Sequence, residues 1–323
     1  MTVKYFFRTV ACLTLVVSTA VSFAQEKNPK DIMDAIVAHR TQRMDEARSA
    51  GQRADMAAIN AETKAMALKA AKGVDPANVD LDLALSWASV FSFAGMHQEI
   101  CDLCLRFLES NPSREDKSIA QGMAMRACNS LGDADMLVEM LATYAPATTI
   151  ESQGHLGSVV RFYADTIAEK MGIEAALKAI DDAMALAKFE DPEEYAKRSF
   201  DSFKARGTRN RDGSEMTDKQ ITAMLVSSAK NRRVGLIYSA ANKKSGLLED
   251  AGRKDEALSV LKEFVKDRDP SNASVRRANS AIMQTEMIGS PATALDFDRQ
   301  YGDFKSLDAW KGKVVIIDFT AHW

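Results

Sequence analysis

Between residues 28 and 286 the chain offers little besides helix. The stretch is rich in Ala, Leu, Met, Glu and Lys, which lose least on entering a helix, and alternating β-branched residues are scarce. Proline and glycine fall at intervals that read as punctuation between helices. Asn28 before Pro29 predicts a helix start, with Ile32, Met33, Ile36 and Val37 on one face. Gly73 followed by Pro76 predicts the end of the next helix, a glycine cap with a proline just beyond.

The punctuation has a rhythm. Gly95 and Pro112 stand 17 residues apart, and Gly252 and Pro270 stand 18 apart. Gly132 to Pro146 (14) and Gly172 to Pro192 (20) are looser versions, and Gly95, Gly132 and Gly172 recur at 37 and 40 residues. The segment Leu-Leu-Glu-Asp-Ala-Gly-Arg-Lys-Asp-Glu-Ala-Leu at 247–258 places Glu256, Ala257 and Leu258 just after Gly252, with a small residue where two helices must approach. This pattern resembles tetratricopeptide repeats in degenerate form. The resemblance implies stacked helix pairs, a continuous core and a concave face that binds a partner or substrate protein. An irregular α-helical bundle is the competing arrangement of the same residues. The polar segment at 206–214, with Arg206, Arg209 and Arg211, is expected as an exposed loop.

At Ile288 the character changes. Short strands are expected at 295–297 and 304–306, then a helical turn at 307–310 and a β-branched strand at 314–319. Gly312, Lys313, that strand, Asp318, Phe319, Ala321 and Trp323 together resemble the entry to a thioredoxin-like domain of the bacterial extracytoplasmic redoxin type, within the alkyl hydroperoxide reductase and thiol-specific antioxidant superfamily. In that family the run leads directly into Cys-x-x-Cys, so the redox cysteines are expected immediately after Trp323, and none of the catalytic residues lies in this chain. The approach to the site would be Asp318, Phe319, Thr320, Ala321, His322 and Trp323, with His322 placed to tune a thiolate. Thr320 stands where the family commonly has an aromatic residue, and Trp323 favours the Cys-x-x-Cys branch over peroxiredoxins. A thiolate at a helix N-terminus would attack a disulfide, and its neighbour would resolve the mixed disulfide.

The first residues read as an export signal. Lys4 and Arg8 precede an apolar run at 10–21 and the small-x-small site Ser22-Phe23-Ala24, with Gln25 as the expected mature start. The apolar stretch is shorter than the roughly 20 residues that span a bilayer and contains three hydroxyl residues, with Ser22 just beyond, which argues against an anchor. The expected location is therefore periplasmic or secreted. The chain carries 42 basic and 45 acidic residues, a net charge of −3. The leader holds two of the basic residues and no acidic one, which leaves the remainder at −5. A mildly acidic chain offers nothing to attract nucleic acid.

The expected architecture is thus mainly α: a signal peptide at 1–24, a tetratricopeptide-like helical domain at 25–286, and at 287–323 the first strands of an α/β thioredoxin fold. The function implied by the two resemblances is an exported thiol–disulfide oxidoreductase whose helical domain binds a partner. The alternative is a helical-repeat binding scaffold with a non-catalytic thioredoxin-like end. Partners would be protein thiols or disulfides and a redox partner protein, and neither a cofactor nor a metal is expected.

The chain also contains Cys101-Asp102-Leu103-Cys104, which looks like a redox motif and lacks its context. No strand precedes it, it lies well inside an expected helix at 96–110, and Glu99 and Asp102 would oppose a thiolate. Cysteines three apart share a helical face, so both are expected in the interhelical core. Once Cys12 leaves with the leader, Cys101, Cys104 and Cys128 remain, an odd number that leaves at least one free or paired outside this chain. His39, His97 and His155 are scattered without metal-type spacing, and the sixteen methionines read as core filler.

Overall fold

The computed structural model describes residues 28–287 except Arg206, Thr208 and Arg211. The signal-peptide region and the thioredoxin-like residues 288–323, including Gly312, Lys313 and Asp318 to Trp323, lie outside the described residues. The described chain is mainly helical. Its α-helices are α1 (Pro29–Ser49), α2 (Met56–Ala71), α3 (Ala84–Ala94), α4 (His97–Glu109), α5 (Arg114–Leu131), α6 (Ala134–Thr143), α7 (Thr149–Ser158), α8 (Ala164–Met171), α9 (Ile173–Leu186), α10 (Pro192–Lys204), α11 (Asp218–Asp250), α12 (Lys254–Val265) and α13 (Ala273–Met287). Two short 3₁₀ turns, Pro76–Asn78 and Leu81–Leu83, lead into α3. The described residues form two compact units that divide between Lys243 and Lys244, within α11.

Local signals set the helix starts. The Asn28 side chain accepts a hydrogen bond from the Lys30 amide at 3.0 Å, and Pro29 occupies the first turn, where its missing N–H costs nothing. Asp55, Ser113, Asp133 and Asp191 cap α2, α5, α6 and α10 in the same way. Thr148 and Glu151 form a reciprocal capping box at α7. On α1, Ile36 is fully buried while Val37 is 53% exposed, so the expected four-residue apolar face is narrower than the sequence suggests. One residue further along a helix turns the side chain by about 100°, which carries Val37 past the edge of the contact.

Three glycines end helices in one geometry. After α3, α5 and α11, Gly95, Gly132 and Gly252 adopt φ of 75°, 72° and 74°. In each case the following amide reaches back five residues: Met96 to the Phe91 carbonyl (2.9 Å), Asp133 to Cys128 (3.0 Å), and Arg253 to Leu248 (2.8 Å). Gly tolerates the left-handed conformation that this closure requires, and the closure satisfies carbonyls the helix end would orphan. Gly172 does not belong with them. Its φ is 91° and ψ 165°, and it serves as the extended residue between α8 and α9. Pro192, paired with Gly172 by sequence spacing, occupies the first turn of α10.

In the first unit, helices pack chiefly on their neighbours in sequence: α1 on α2, α2 on α3, α3 on α4, α4 on α5, α5 on α6, and α8 on α9. The α4–α5 contact is the most extensive. Cys101 near the start of α4 meets Cys128 near the end of α5, so the two helices run antiparallel. Ala120, Ala124 and Ala127 are almost completely buried on one stripe of α5, and such small side chains let backbones approach closely. Large side chains fill the interior elsewhere, among them Phe91, Leu103, Met125, Leu137 and Leu156, each contributing about 1.5–3 kcal/mol through removal from water. Ala196 of α10 packs with Ile221 and Leu225 of α11, flanked by Phe200 and Phe203.

The second unit pairs α12 with α13, and Ala257, Leu261, Phe264, Val275, Ala278 and Ile282 are buried. Thr285 donates to Glu249 at 3.1 Å, and Lys262 pairs with Glu286 at 2.7 Å. In the expected loop, which belongs to the first unit, Asp212 accepts from the Ser214 amide and hydroxyl, and the backbones of Arg209 and Glu215 form an isolated antiparallel bridge. None of the described helices is long and apolar enough to cross a membrane.

Candidate functional site

The site best developed among the described residues is a solvent-open groove of about 590 Å³ in the first unit. Met33 of α1, Phe93 of α3 and His97 of α4 line one part of it. Ile119, Met123 and Arg126 of α5 line another, spaced so that they share one helical face. The alanine stripe lies one residue further round α5, about 100° away, with Ala120 and Ala124 turned into the core and Ala127 bordering the groove. Phe162 and Tyr163 complete the lining.

Phe162 owes its position to a local irregularity. From α7 to α8 the helix continues through a π turn at Val159–Tyr163, where the Ala164 amide bonds to the Val159 carbonyl. The wider turn inserts a residue and rephases the helix, and such turns are frequent at functional sites. Phe162 is left 56% exposed on the groove while Tyr163 beside it is 2% exposed. The β-branched and aromatic run Val159-Val160-Arg161-Phe162-Tyr163 is a poor helix former, but residue preference alone does not distinguish a π turn from an α turn.

The groove is apolar with a cationic edge. Ile119 is 40% exposed. Arg126 is exposed, and its Nε donates within the helix to the Gly122 carbonyl at 3.3 Å. Met33, Met123 and Ile119 supply adaptable aliphatic surface, a type common on surfaces that accept varied sequences.

Immediately behind the wall lie the cysteines. Cys101 follows Ile100 and Cys128 follows Ala127, both groove residues. All three described cysteines are buried. Cys101 and Cys104 therefore sit in the interhelical core, as their shared face implies. The contact that the sequence did not reveal is with Cys128, whose Sγ is 3.4 Å from that of Cys101. The hydrogen bond shared with Cys128, together with burial, pushes the Cys101 thiol up. The same contact holds the Cys128 thiol below its ordinary value, since Cys101 can donate to the Cys128 thiolate. Burial pushes Cys104 up to about 12. Its ionisation is thus suppressed mainly by desolvation, with the neighbouring Cys128 adding to it. Among the described residues no group of three His, Cys, Asp or Glu side chains is placed to hold a metal.

A second polar cluster lies between α5 and α7. Ser118 donates to Glu151 at 2.9 Å and lies 3.2 Å from the Tyr144 hydroxyl. Glu151 also accepts from the Ala147 and Thr148 amides, so the carboxylate ties the α6–α7 connection to α5. His155 packs against Tyr144 with ring centroids 4.3 Å apart. Its Nδ1 is buried without a hydrogen-bond partner, and burial pushes its pKa down to about 4. These residues are spoken for by folding, and the cluster is structural. Of the other histidines, His39 pairs with Glu62 at 2.8 Å and His97 lines the groove. No protein-family model, curated protein or solved structure matches this chain.

Proposed function

We propose that the helical region is a tetratricopeptide-like docking domain whose groove holds an apolar, carboxylate-bearing segment of a partner protein. The domain serves an exported thioredoxin-like thiol–disulfide oxidoreductase. The observation that carries the docking part is the groove itself, with an exposed aromatic anchor at Phe162 and the Arg126 guanidinium at its edge. Aromatic and arginine side chains are the usual anchors of protein recognition. The recurrent glycine closures after α3, α5 and α11 support the repeat reading, since a repeated turn is what repeated helix pairs require. The oxidoreductase part rests on the sequence Gly312 to Trp323 and its resemblance to the thioredoxin-type entry. In this reading the docked segment belongs to a protein whose thiols or disulfides are exchanged by the Cys-x-x-Cys expected beyond Trp323.

Peptide display against the immobilised chain tests the docking part. Enriched peptides should combine a large apolar residue with Asp or Glu, and enrichment should vanish in Phe162→Asp and weaken in Arg126→Glu. Enrichment that survives both substitutions, or none at all with the unaltered chain, would refute the groove as the docking site. Reading the coding frame past Trp323 tests the catalytic part. Cys-x-x-Cys there supports the oxidoreductase, and replacement of either cysteine favours the non-catalytic scaffold.

A further inference from the structure

We propose that Cys101 and Cys128 form a redox-modifiable pair, oxidised by a small-molecule or protein disulfide to an intrachain bond that joins α4 to α5. This stands on geometry within the helical unit and is independent of the thioredoxin-like reading.

The two sulfurs are 3.4 Å apart, against about 2.05 Å in a formed disulfide. The remaining gap is of the size that side-chain rotation and small helix shifts close. The alanine stripe of α5 holds the helices near enough for this, and Cys101 Sγ also approaches the Ala124 carbonyl at 3.9 Å. The two residues are 27 apart in sequence, on different helices, so the bond would cross-link elements that otherwise rely on packing. Cys104 is one helical turn beyond Cys101, but the sulfur that Cys128 meets belongs to Cys101.

The chemistry is thiol–disulfide exchange. The Cys128 thiolate, favoured by the hydrogen bond from Cys101, attacks one sulfur of the oxidant R–S–S–R and expels R–S⁻. The proton lost from Cys128 and this leaving group account for one R–SH. Cys101 then attacks the Cys128 sulfur of the mixed disulfide, and its proton goes with the second R–S⁻. The balance is two protein thiols and one R–S–S–R giving one protein disulfide and two R–SH. The protein loses two electrons and the oxidant gains them. Both sulfurs are buried, so a local opening of the α4–α5 contact must precede attack, and the groove, lined by the neighbouring Ile100 and Ala127, is the proposed side of approach. The product would tie together the two helices that form that wall.

The test is to incubate the full-length chain, folded, with oxidised glutathione, quench with acid, alkylate in denaturant and digest with trypsin. The expected product is peptide 73–106, alkylated once at Cys104, linked to peptide 127–161, with a mass two hydrogens below the sum of that singly alkylated peptide and the thiol form of 127–161. It should persist in Cys104→Ser, disappear in Cys101→Ser and reverse with dithiothreitol. The oxidised protein should also unfold at higher urea concentration than the reduced protein. Full alkylation of Cys101 and Cys128 after exposure would overturn the proposal. So would a glutathione adduct on Cys128 that never resolves, or a link through Cys104. Fragmentation of the linked peptides from the unaltered chain, which shows whether Cys101 or Cys104 carries the alkyl group, decides the matter even if a variant folds poorly.

Discussion

Acidification should destabilise this protein through a single buried imidazole. His155 is 6% exposed, stacks on Tyr144 and has no partner for Nδ1, so the folded state has no means of solvating an imidazolium there. Burial moves its pKa from 6.5 down to about 4. The unfolded chain therefore binds a proton between those two values that the folded chain refuses, and stability falls as pH falls through that window. At about 1.4 kcal/mol for each tenfold change in proton affinity, the full cost is about 3 kcal/mol, of which about 2 kcal/mol is spent between pH 7.5 and 5. That is a substantial share of the 5–15 kcal/mol that typically holds a domain folded. Urea unfolding of the wild type and His155→Phe at pH 7.5, 6 and 5 isolates the effect. Surface groups such as the Arg43-paired Glu62, held below its usual carboxylate range chiefly by hydrogen bonds from His39 and Arg43, titrate alike in both proteins and cancel. Wild type should lose about 2 kcal/mol more than His155→Phe on going to pH 5. Equal losses, or a folded-state His155 resonance that titrates near 6.5, would refute the argument.

Other substitutions test the fold and the groove separately. Gly132→Ala places a Cβ at φ 72°, where space is open but the backbone is strained, and should cost about 1–2 kcal/mol by thermal or urea unfolding. Leu137→Ala empties a completely buried position and should cost about 2–5 kcal/mol in the same assay. Thr148→Ala removes half of the capping box at α7 and should cost about 1 kcal/mol. Phe162→Asp, on a side chain already 56% exposed, should leave the urea midpoint nearly unchanged while abolishing peptide enrichment, which separates recognition from stability.

Local features of the sequence carried the helical class and several helix boundaries. Asn28-Pro29 marks the first helix because capping is a contact within three residues. Gly95, Gly132 and Gly252 mark turns because only a residue without Cβ takes that φ cheaply. Spacing alone did not give the backbone of Gly172 and Pro192, since a glycine followed at a distance by a proline says nothing about which backbone region each occupies. Hydrophobic periodicity placed Ile36 inside but also Val37, because it cannot fix where the neighbouring helix ends.

The site was largely illegible beforehand, for a physical reason. A groove is made of residues from α1, α3, α4, α5 and the π turn, each unremarkable in its own segment. The Cys101-x-x-Cys104 spacing drew attention to the wrong pair, since helical periodicity relates residues three apart while packing brings Cys128 to Cys101. His155 reads as one scattered histidine until tertiary burial removes water from its ring. By itself the sequence determined what each segment forms and where it turns, through interactions a few residues long. Only the tertiary structure decided which thiols meet, which imidazole loses its solvent and which apolar side chains stay exposed, because those depend on surfaces that come together after the helices have formed.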